Sequence, residues 1–257
     1  DASERMLARL PEGAAARAAA RLEATPGRPL SPEVALGLYV AAARELFEEA
    51  GVLLARHATD GRPVTFDRPE VHGRFQTYRR RIHDRSDPLT FAEVLEQEDL
   101  VLDLEALSYF AHWVTPSFEG RRFDARFFLA EMPAGQEPAI DEEETTASAW
   151  LSPAEALQRA AREEIFLAPP TARTVEELAE FPSIEALFRA ASERDVVAIL
   201  PKVQLDPPAI LLPWDPAYGA TEGEGLPIDP DHPLTQTPSR VVLEGGAWVS
   251  RRAEETG

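Results

Sequence analysis

The sequence contains no cysteine, a single lysine at position 202 and no long apolar run. Without thiols, disulfide bonds, thiol nucleophiles and thiolate-held metals are excluded. The redox compartment stays undetermined from this absence; a reducing cytoplasm fits and is the compartment that we expect. Apolar runs such as Val196 to Leu200 are as short as β-strands and fall far below the roughly 20 residues that cross a bilayer. We therefore expect no membrane partner.

Basic residues are also scarce relative to acidic ones, and the formal net charge is -19. Binding to a nucleic-acid polymer depends on Lys and Arg that neutralise phosphates, so we expect no such partner. A small phosphorylated substrate remains compatible, because bound cations screen like charges. With 257 residues, 44% of them hydrophobic, the chain can bury a full core. The oligomeric state stays open, with a homodimer as one alternative.

Local patterns predict a mixed α/β protein. Residues 2–24 favour two short helices broken at Pro11, which we interpret as a solvated helical insertion. Residues 55–88 lack sustained periodicity and predict a long surface loop with some local helix. Further expected elements are a helix opened by Thr90 and Glu93, strands at 107–115, 123–131 and 147–151, a helix from Ser152, two helices within 172–193 split at Pro182, and a hairpin of 241–243 with 248–250 turned at Gly245-Gly246.

A helix over residues 32–50 has the clearest boundaries. Ser31 offers an N-cap, Pro32 suits the first helical position, and Gly51 supplies the C-terminal stop. Apolar side chains recur at helical spacing and predict a buried stripe, with three glutamates on the opposite side. The stripe consists of Leu36, Val40, Ala43 and Phe47, and the glutamates are Glu45, Glu48 and Glu49.

The three glutamates suggest a site for a hard cation. They are three and four residues apart, so their carboxylates project from neighbouring positions on the helix. Carboxylate oxygens are the ligands that Mg²⁺ and Mn²⁺ prefer, and Arg44 precedes Glu48 by one helical turn, from which it can hold a carboxylate. Taken alone, however, three glutamates are more often an ordinary solvated acidic face.

The run from Arg44 to Val52, preceded by Ala41-Ala42, resembles the second half of the Nudix hydrolase signature. In that signature an Arg-Glu pair precedes two adjacent glutamates and a helix-ending glycine. The resemblance implies that Glu48 and Glu49 are metal ligands, that Glu45 is a ligand or a base, and that Arg44 orients them. The first half departs from the pattern, since Leu30 and Leu36 stand where its glycine and first glutamate belong.

A Nudix subgroup similar to the peroxisomal coenzyme A diphosphatases carries an insertion inside the signature. Asp1 resembles the aspartate of the Gly-Gly-x-x-Asp turn that precedes this insertion, so we expect the first strands and the glycine loop upstream of a truncated N-terminus. Further resemblance comes from segments 113–116, 121–129, 150–153 and 167–171. The implied organisation is a Nudix α/β/α sandwich with a mixed sheet over residues 1–170, and a helical and β-rich extension over 171–257.

Other side chains receive roles on weaker grounds. Glu144 lies six residues before Trp150, where Nudix enzymes often carry a further catalytic glutamate; a solvated acidic loop is the equal alternative. Three arginines could bind a substrate phosphate, because a guanidinium group matches phosphate oxygens bidentately. Such arginines more often form ion pairs with surface carboxylates. These are Arg121, Arg122 and Arg126. We assign four aromatic residues to the core: Trp113, Phe123, Phe127 and Phe128.

The resemblance implies a metal-dependent hydrolase that cleaves a diphosphate linkage in a nucleoside diphosphate derivative. The cations would neutralise phosphate charge and activate water, while Glu45 or Glu144 accepts a proton. Coenzyme A and its thioesters are the substrates that the subgroup suggests, cleaved to phosphopantetheine and adenosine bisphosphate products. The alternative is a Nudix-like module that binds a nucleotide without cleaving it.

Overall fold

The computed structural model describes residues 4–22, 30–84, 86–116, 120–138 and 149–256. Within these ranges, none of the helices has the length and apolar character needed to cross a membrane. The helices are α1 Glu4–Leu7, α2 Ala14–Leu22, α3 Pro32–Ala50, α4 Pro69–His83, α5 Phe91–Gln97, α6 Pro153–Ala161, α7 Pro169–Leu178 and α8 Ile184–Glu193. The strands are β1 Ala55–His57, β2 Leu100–Leu102, β3 Ser108–Val114, β4 Asp124–Leu129, β5 Ala198–Ile199, β6 Lys202–Leu205, β7 Pro208–Leu211, β8 Arg240–Glu244 and β9 Ala247–Arg251.

The chain forms two compact units that alternate along the sequence. The first unit comprises residues 1–108 and 128–149, and the second comprises 109–127 and 150–257. The glutamate helix α3 therefore belongs to the first unit, and the arginine-rich stretch 121–127 belongs to the second. The domain boundary near residue 170 remains a prediction.

The two short helices expected at the start of the chain are confirmed as α1 and α2, but their solvated character was wrong. α2 packs along α3, and Met6, Ala18 and Leu22 are buried. The carbonyl of Arg9 also accepts a hydrogen bond from the N–H of Leu102 at 2.9 Å. Alanine-rich helices bury well because small side chains allow close backbone approach, and this segment is part of the core of the first unit.

The apolar stripe of α3 forms the centre of that core, as predicted. All four stripe residues are buried. The ring of Phe47 contacts Phe75 edge-on at a centroid distance of 6.3 Å and Phe91 at 5.8 Å. Phe75 lies on α4, so the prediction of a long surface loop over 55–88 was largely wrong. Val71, Phe75 and Arg79 are buried at a spacing of four residues, which gives α4 an inward face.

The second unit contains most of two sheets; Ser108 of β3 and Phe128 and Leu129 of β4 are assigned to the first unit. β4, β3 and β5 form a three-stranded sheet in which β3 and β5 run parallel, and β6 to β9 form an antiparallel sheet in chain order. The hairpin predicted at Gly245-Gly246 is confirmed: β8 pairs with β9, and both glycines have positive φ, as its two-residue turn requires. The capped helix after Ser152 and the helix break near Pro182 are confirmed as well.

Two further predictions were wrong. Residues 149–151 are not a strand, and Trp150 is 75% exposed; residues 147 and 148 lie outside the described ranges. Phe123, which we assigned to the core, is 53% exposed, whereas Trp113 is buried. Alternation in a strand places neighbouring residues on opposite faces, but burial depends on whether another element covers each face.

Candidate active site

Local chemistry at both ends fixes the helix that carries the glutamates. The Ser31 side chain accepts a hydrogen bond from the N–H of Val34 at 3.3 Å, and Pro32 occupies the first turn. At the other end Gly51 adopts a left-handed conformation with φ of 69°, and its N–H donates to the carbonyl of Phe47 at 3.0 Å. The boundaries predicted from sequence are therefore confirmed.

The three glutamates of α3 do not share one exposed face. Glu45 and Glu49 are exposed, but Glu48 is only 8% exposed. The expectation that all three lie on the solvent side was wrong for Glu48. Glu48 follows the buried Phe47 directly, and α4 packs against α3. The Glu48 side chain is therefore largely shielded from water.

Arg44 contacts two of the glutamates. Its Nη1 donates to Glu48 Oε2 at 2.5 Å, and its Nη2 lies 3.3 Å from Glu45 Oε1. The first contact spans four residues, the separation at which side chains of a helix meet. The guanidinium therefore compensates part of the negative charge and contacts the Glu48 carboxylate, whereas a role for Arg44 in orienting metal ligands stays a prediction.

Arg79 secures the same end of the helix from α4, and sequence reasoning missed it. Its Nε donates to the main-chain carbonyl of Glu48 at 2.7 Å, and its Nη2 donates to the carbonyl of Glu49. The last carbonyls of a helix have no partners within it, and a cation there is favoured by the helix dipole. Arg79 is 3% exposed, so these contacts are shielded from water. The backbone beneath two of the candidate ligands is thereby held in place.

Gln136 fixes the chain that leaves the helix, and it too was missed. Its side-chain oxygen accepts from the N–H of Leu53 at 2.8 Å, and its amide nitrogen donates to the carbonyls of Leu53 and Val64, each at 2.9 Å. Gln136 is buried, so these bonds replace hydration that the backbone groups have lost. The segment after Gly51 is thus tied to a distant part of the first unit.

The carboxylate oxygens of the three glutamates are chemically suited to bind a hard divalent cation. Glu45 precedes Glu48 and Glu49 by three and four residues, about one helical turn, and carboxylates on a rigid helix are ligands for Mg²⁺ or Mn²⁺. Within the described ranges, no three acidic or histidine side chains already converge into a metal cluster. A cation would therefore require these carboxylates to turn towards one another, with Glu48 shared with or released by Arg44.

The remaining predicted site residues are Glu144 and three arginines of the second unit. Glu144 lies outside the described residues. In the second unit Arg122 pairs with Glu224 at 2.9 Å, and Arg126 pairs with Asp124 at 3.2 Å. Arg126 is nearly inaccessible, with its side chain 5% exposed. The guanidinium of Arg121 lies 5.0 Å from the centre of the Phe123 ring.

Comparison with models of known protein families identifies the family of this chain. The family model for the NUDT19 Nudix domain matches residues 4–178, about two thirds of the chain. The chain belongs to this Nudix family. Membership confirms the resemblance drawn from Arg44 to Val52 and the Nudix α/β fold class that it implied.

Similar proteins include the acyl-coenzyme A diphosphatase NUDT19 of Gallus gallus, which is 33% identical over 217 residues, 75% of this chain and 56% of the relative. The human protein of the same name is 33% identical over 192 residues, 70% of this chain and 50% of the relative. The chain therefore spans about half the length of the curated relatives it matches. A NUDIX hydrolase crystal structure from Alicyclobacillus acidocaldarius covers 70% of this chain and 76% of its own, with 26% identity and a TM-score of 0.48.

Proposed function

We propose that this chain hydrolyses a diphosphate linkage in a nucleoside diphosphate derivative, with coenzyme A and acyl-coenzyme A as its substrates. The observation that carries the proposal is the capped helix α3, which presents Glu45, Glu48 and Glu49 with Arg44 and whose end is held by Arg79. The names of the similar proteins, acyl-coenzyme A diphosphatases, suggest the substrate class.

The three glutamates and Arg44 of α3 each have a role in this proposal. Glu48 and Glu49 would hold Mg²⁺ or Mn²⁺, with Glu45 as a third ligand or as the base that accepts a proton from water. The cation supplies charge neutralisation at the phosphates and activation of water. Arg44 keeps Glu48 oriented through its hydrogen bond of 2.5 Å. Arg79 acts through the backbone, as a positioning residue.

The other assigned residues remain part of the proposal. Glu144 is the second candidate for the base. Arg121 and Arg122 are exposed, and their guanidinium groups match phosphate oxygens bidentately. To bind a substrate phosphate, Arg126 would first have to release its ion pair with Asp124. We also propose the cytoplasm as the compartment, no nucleic-acid polymer as a partner, and Mg²⁺ or Mn²⁺ as the physiological metal.

A substrate panel tests the proposal. The protein is incubated with coenzyme A, octanoyl-coenzyme A, ADP-ribose and NADH in Mg²⁺, in Mn²⁺ and in EDTA, and products are separated chromatographically. We expect metal-dependent cleavage of the coenzyme A compounds to adenosine bisphosphate and a phosphopantetheine product. Binding of these compounds with no cleavage in either metal would overturn the proposal and favour a nucleotide-sensing module.

A further inference from the structure

The second unit contains a pocket with a volume of about 370 Å³, and the described residues that line it all belong to that unit. One wall is formed by Phe123, which directly precedes β4, and by Ala125 and Phe127 of β4; the three alternate along the chain and therefore point the same way. Another wall comes from β6 and β7, where Val203 and Ile210 are directly paired and share a face. The pocket is thus built on regular strands.

The lining is almost entirely hydrocarbon. Among the described residues that line it, none carries a charge, and the only polar side chains besides the Trp113 indole are Thr115 and Thr171. The Thr115 hydroxyl already accepts a hydrogen bond from the N–H of Phe123 at 3.0 Å. A ligand inside the pocket therefore gains apolar contact and very few hydrogen bonds.

This chemistry distinguishes between classes of ligand. A phosphate or a nucleobase would lose hydration of its polar edge without adequate replacement, which is costly in an apolar site. An aliphatic chain has no polar groups whose hydration would be lost, and burial of each methylene is favourable. The volume lies within the range of small-molecule pockets, towards its lower end. Chain-like apolar ligands fit both the size and the lining.

The rim suits a chain that ends in a polar or anionic group. Phe123 lines the pocket and is 53% exposed, so the pocket is accessible from water on that side. The guanidinium of Arg121 lies over the Phe123 ring, 5.0 Å from its centre. A positive charge thus lies at the rim, where a head group would remain hydrated.

We propose that this pocket binds a single aliphatic chain, as a fatty acid or as the acyl group of a thioester. Binding in the second unit does not require metal or hydrolysis. The choice of an acyl thioester as the source of the chain rests on the proposed function, whereas binding of the chain itself does not.

Calorimetric titration in EDTA tests the proposal independently of catalysis. The ligands are hexanoate, octanoate, decanoate and dodecanoate below their aggregation limits, with decanoyl-coenzyme A and adenosine monophosphate as further arms. We expect the dissociation constant to fall about fourfold for each added methylene until the pocket is filled. Tighter binding of decanoyl-coenzyme A than of decanoate would identify the thioester as the source. No dependence on chain length, or competition by adenosine monophosphate, would overturn the proposal.

Variants locate the binding site. Ala125→Leu adds three carbons inside the pocket, so we expect at least tenfold weaker binding of decanoate with a smaller loss for hexanoate. Ala154→Leu is the matched control, because Ala154 is exposed on α6 and outside the lining. If Ala125→Leu fails to fold, Val203→Phe fills the pocket from β6. A folded filling variant with unchanged affinity for decanoate would overturn the assignment.

Discussion

Replacing Arg79 by methionine tests whether a buried cation secures the glutamate helix. The side chain keeps its approximate length but loses the donors that reach the carbonyls of Glu48 and Glu49. Hydrogen bonds from a charged donor contribute about 1.5–3 kcal/mol each, and buried carbonyls left without partners carry a desolvation cost. We therefore expect the free energy of unfolding to fall by about 3–5 kcal/mol.

That loss converts into a measurable melting shift. In a chain of this length each kcal/mol corresponds to about 2–4 °C, so the melting temperature should fall by roughly 6–20 °C. Circular dichroism measures the shift. Affinity for Mn²⁺ should also weaken, on the order of tenfold, because the backbone of two candidate ligands becomes less fixed. Arg79→Lys should give an intermediate loss, since it keeps the charge but not the planar fork.

Arg80→Met is the matched control on the same helix. Arg80 is exposed and directly follows the buried Arg79. Its substitution should change stability by no more than about 0.5 kcal/mol. Equal melting temperatures for the two methionine variants would refute the claim that Arg79 holds the end of α3.

Three further predictions concern other contacts of the first unit. Burial raises the pKa of Glu98, but hydrogen bonds from Arg74 and Tyr78 outweigh it and bring this pKa below its ordinary value of 4.5. The contribution of the Glu98 carboxylate to stability is therefore present above pH 4.5 and is lost as the pH falls through the lowered pKa. Glu98→Gln should therefore cost about 1 kcal/mol at pH 7 and progressively less below pH 4.5 in urea titrations; a constant cost at all pH values would contradict this. Gln136→Met should lower stability by about 2–4 kcal/mol because backbone groups of Leu53 lose their partners, and an unchanged urea midpoint would count against that bond network. Gly51→Ala should cost about 1–2 kcal/mol because its φ is 69°, with a smaller loss for Gly51→Asn; equal losses would mean that left-handed strain is not the cause.

Sequence patterns predicted the features that depend on neighbouring residues. The cap at Ser31 and the stop at Gly51 follow from contacts within about one helical turn, and the stripe of α3 follows from its helical periodicity. The capping box at Thr90 and Glu93 and the glycine hairpin are of the same kind. Such contacts are determined locally, and the residue types that make them are few.

Features that depend on distant parts of the chain were missed. Arg79 reaches Glu48 across 31 positions, and Gln136 reaches Leu53 across 83. An arginine or glutamine in a polar stretch is normally assigned to the surface. One signal was available for α4, since Val71, Phe75 and Arg79 repeat every four residues. Its third member is charged, and a charged residue normally interrupts an apolar stripe.

The burial of Glu48 and the exposure of Phe123 were mispredicted for a related reason. Helical or strand periodicity tells which side chains share a face, but not which face is covered. Coverage depends on packing partners such as α4 for Glu48. The described lining of the second-unit pocket likewise comes from segments spread over residues 113–210, so no local sequence pattern predicts the pocket.

Mn²⁺ binding by the helix glutamates tests the central claim most directly. Titration followed by electron paramagnetic resonance compares the unmodified chain with Glu48→Gln, Glu49→Gln and the control Glu33→Gln, an exposed residue at the start of α3. We expect Mn²⁺ affinity to fall at least tenfold in the first two variants and to stay unchanged in the control. Turnover of coenzyme A should fall on the order of 10²-fold in parallel. Unchanged Mn²⁺ affinity and turnover in folded Glu48→Gln and Glu49→Gln proteins would contradict the assignment of a catalytic metal site to α3.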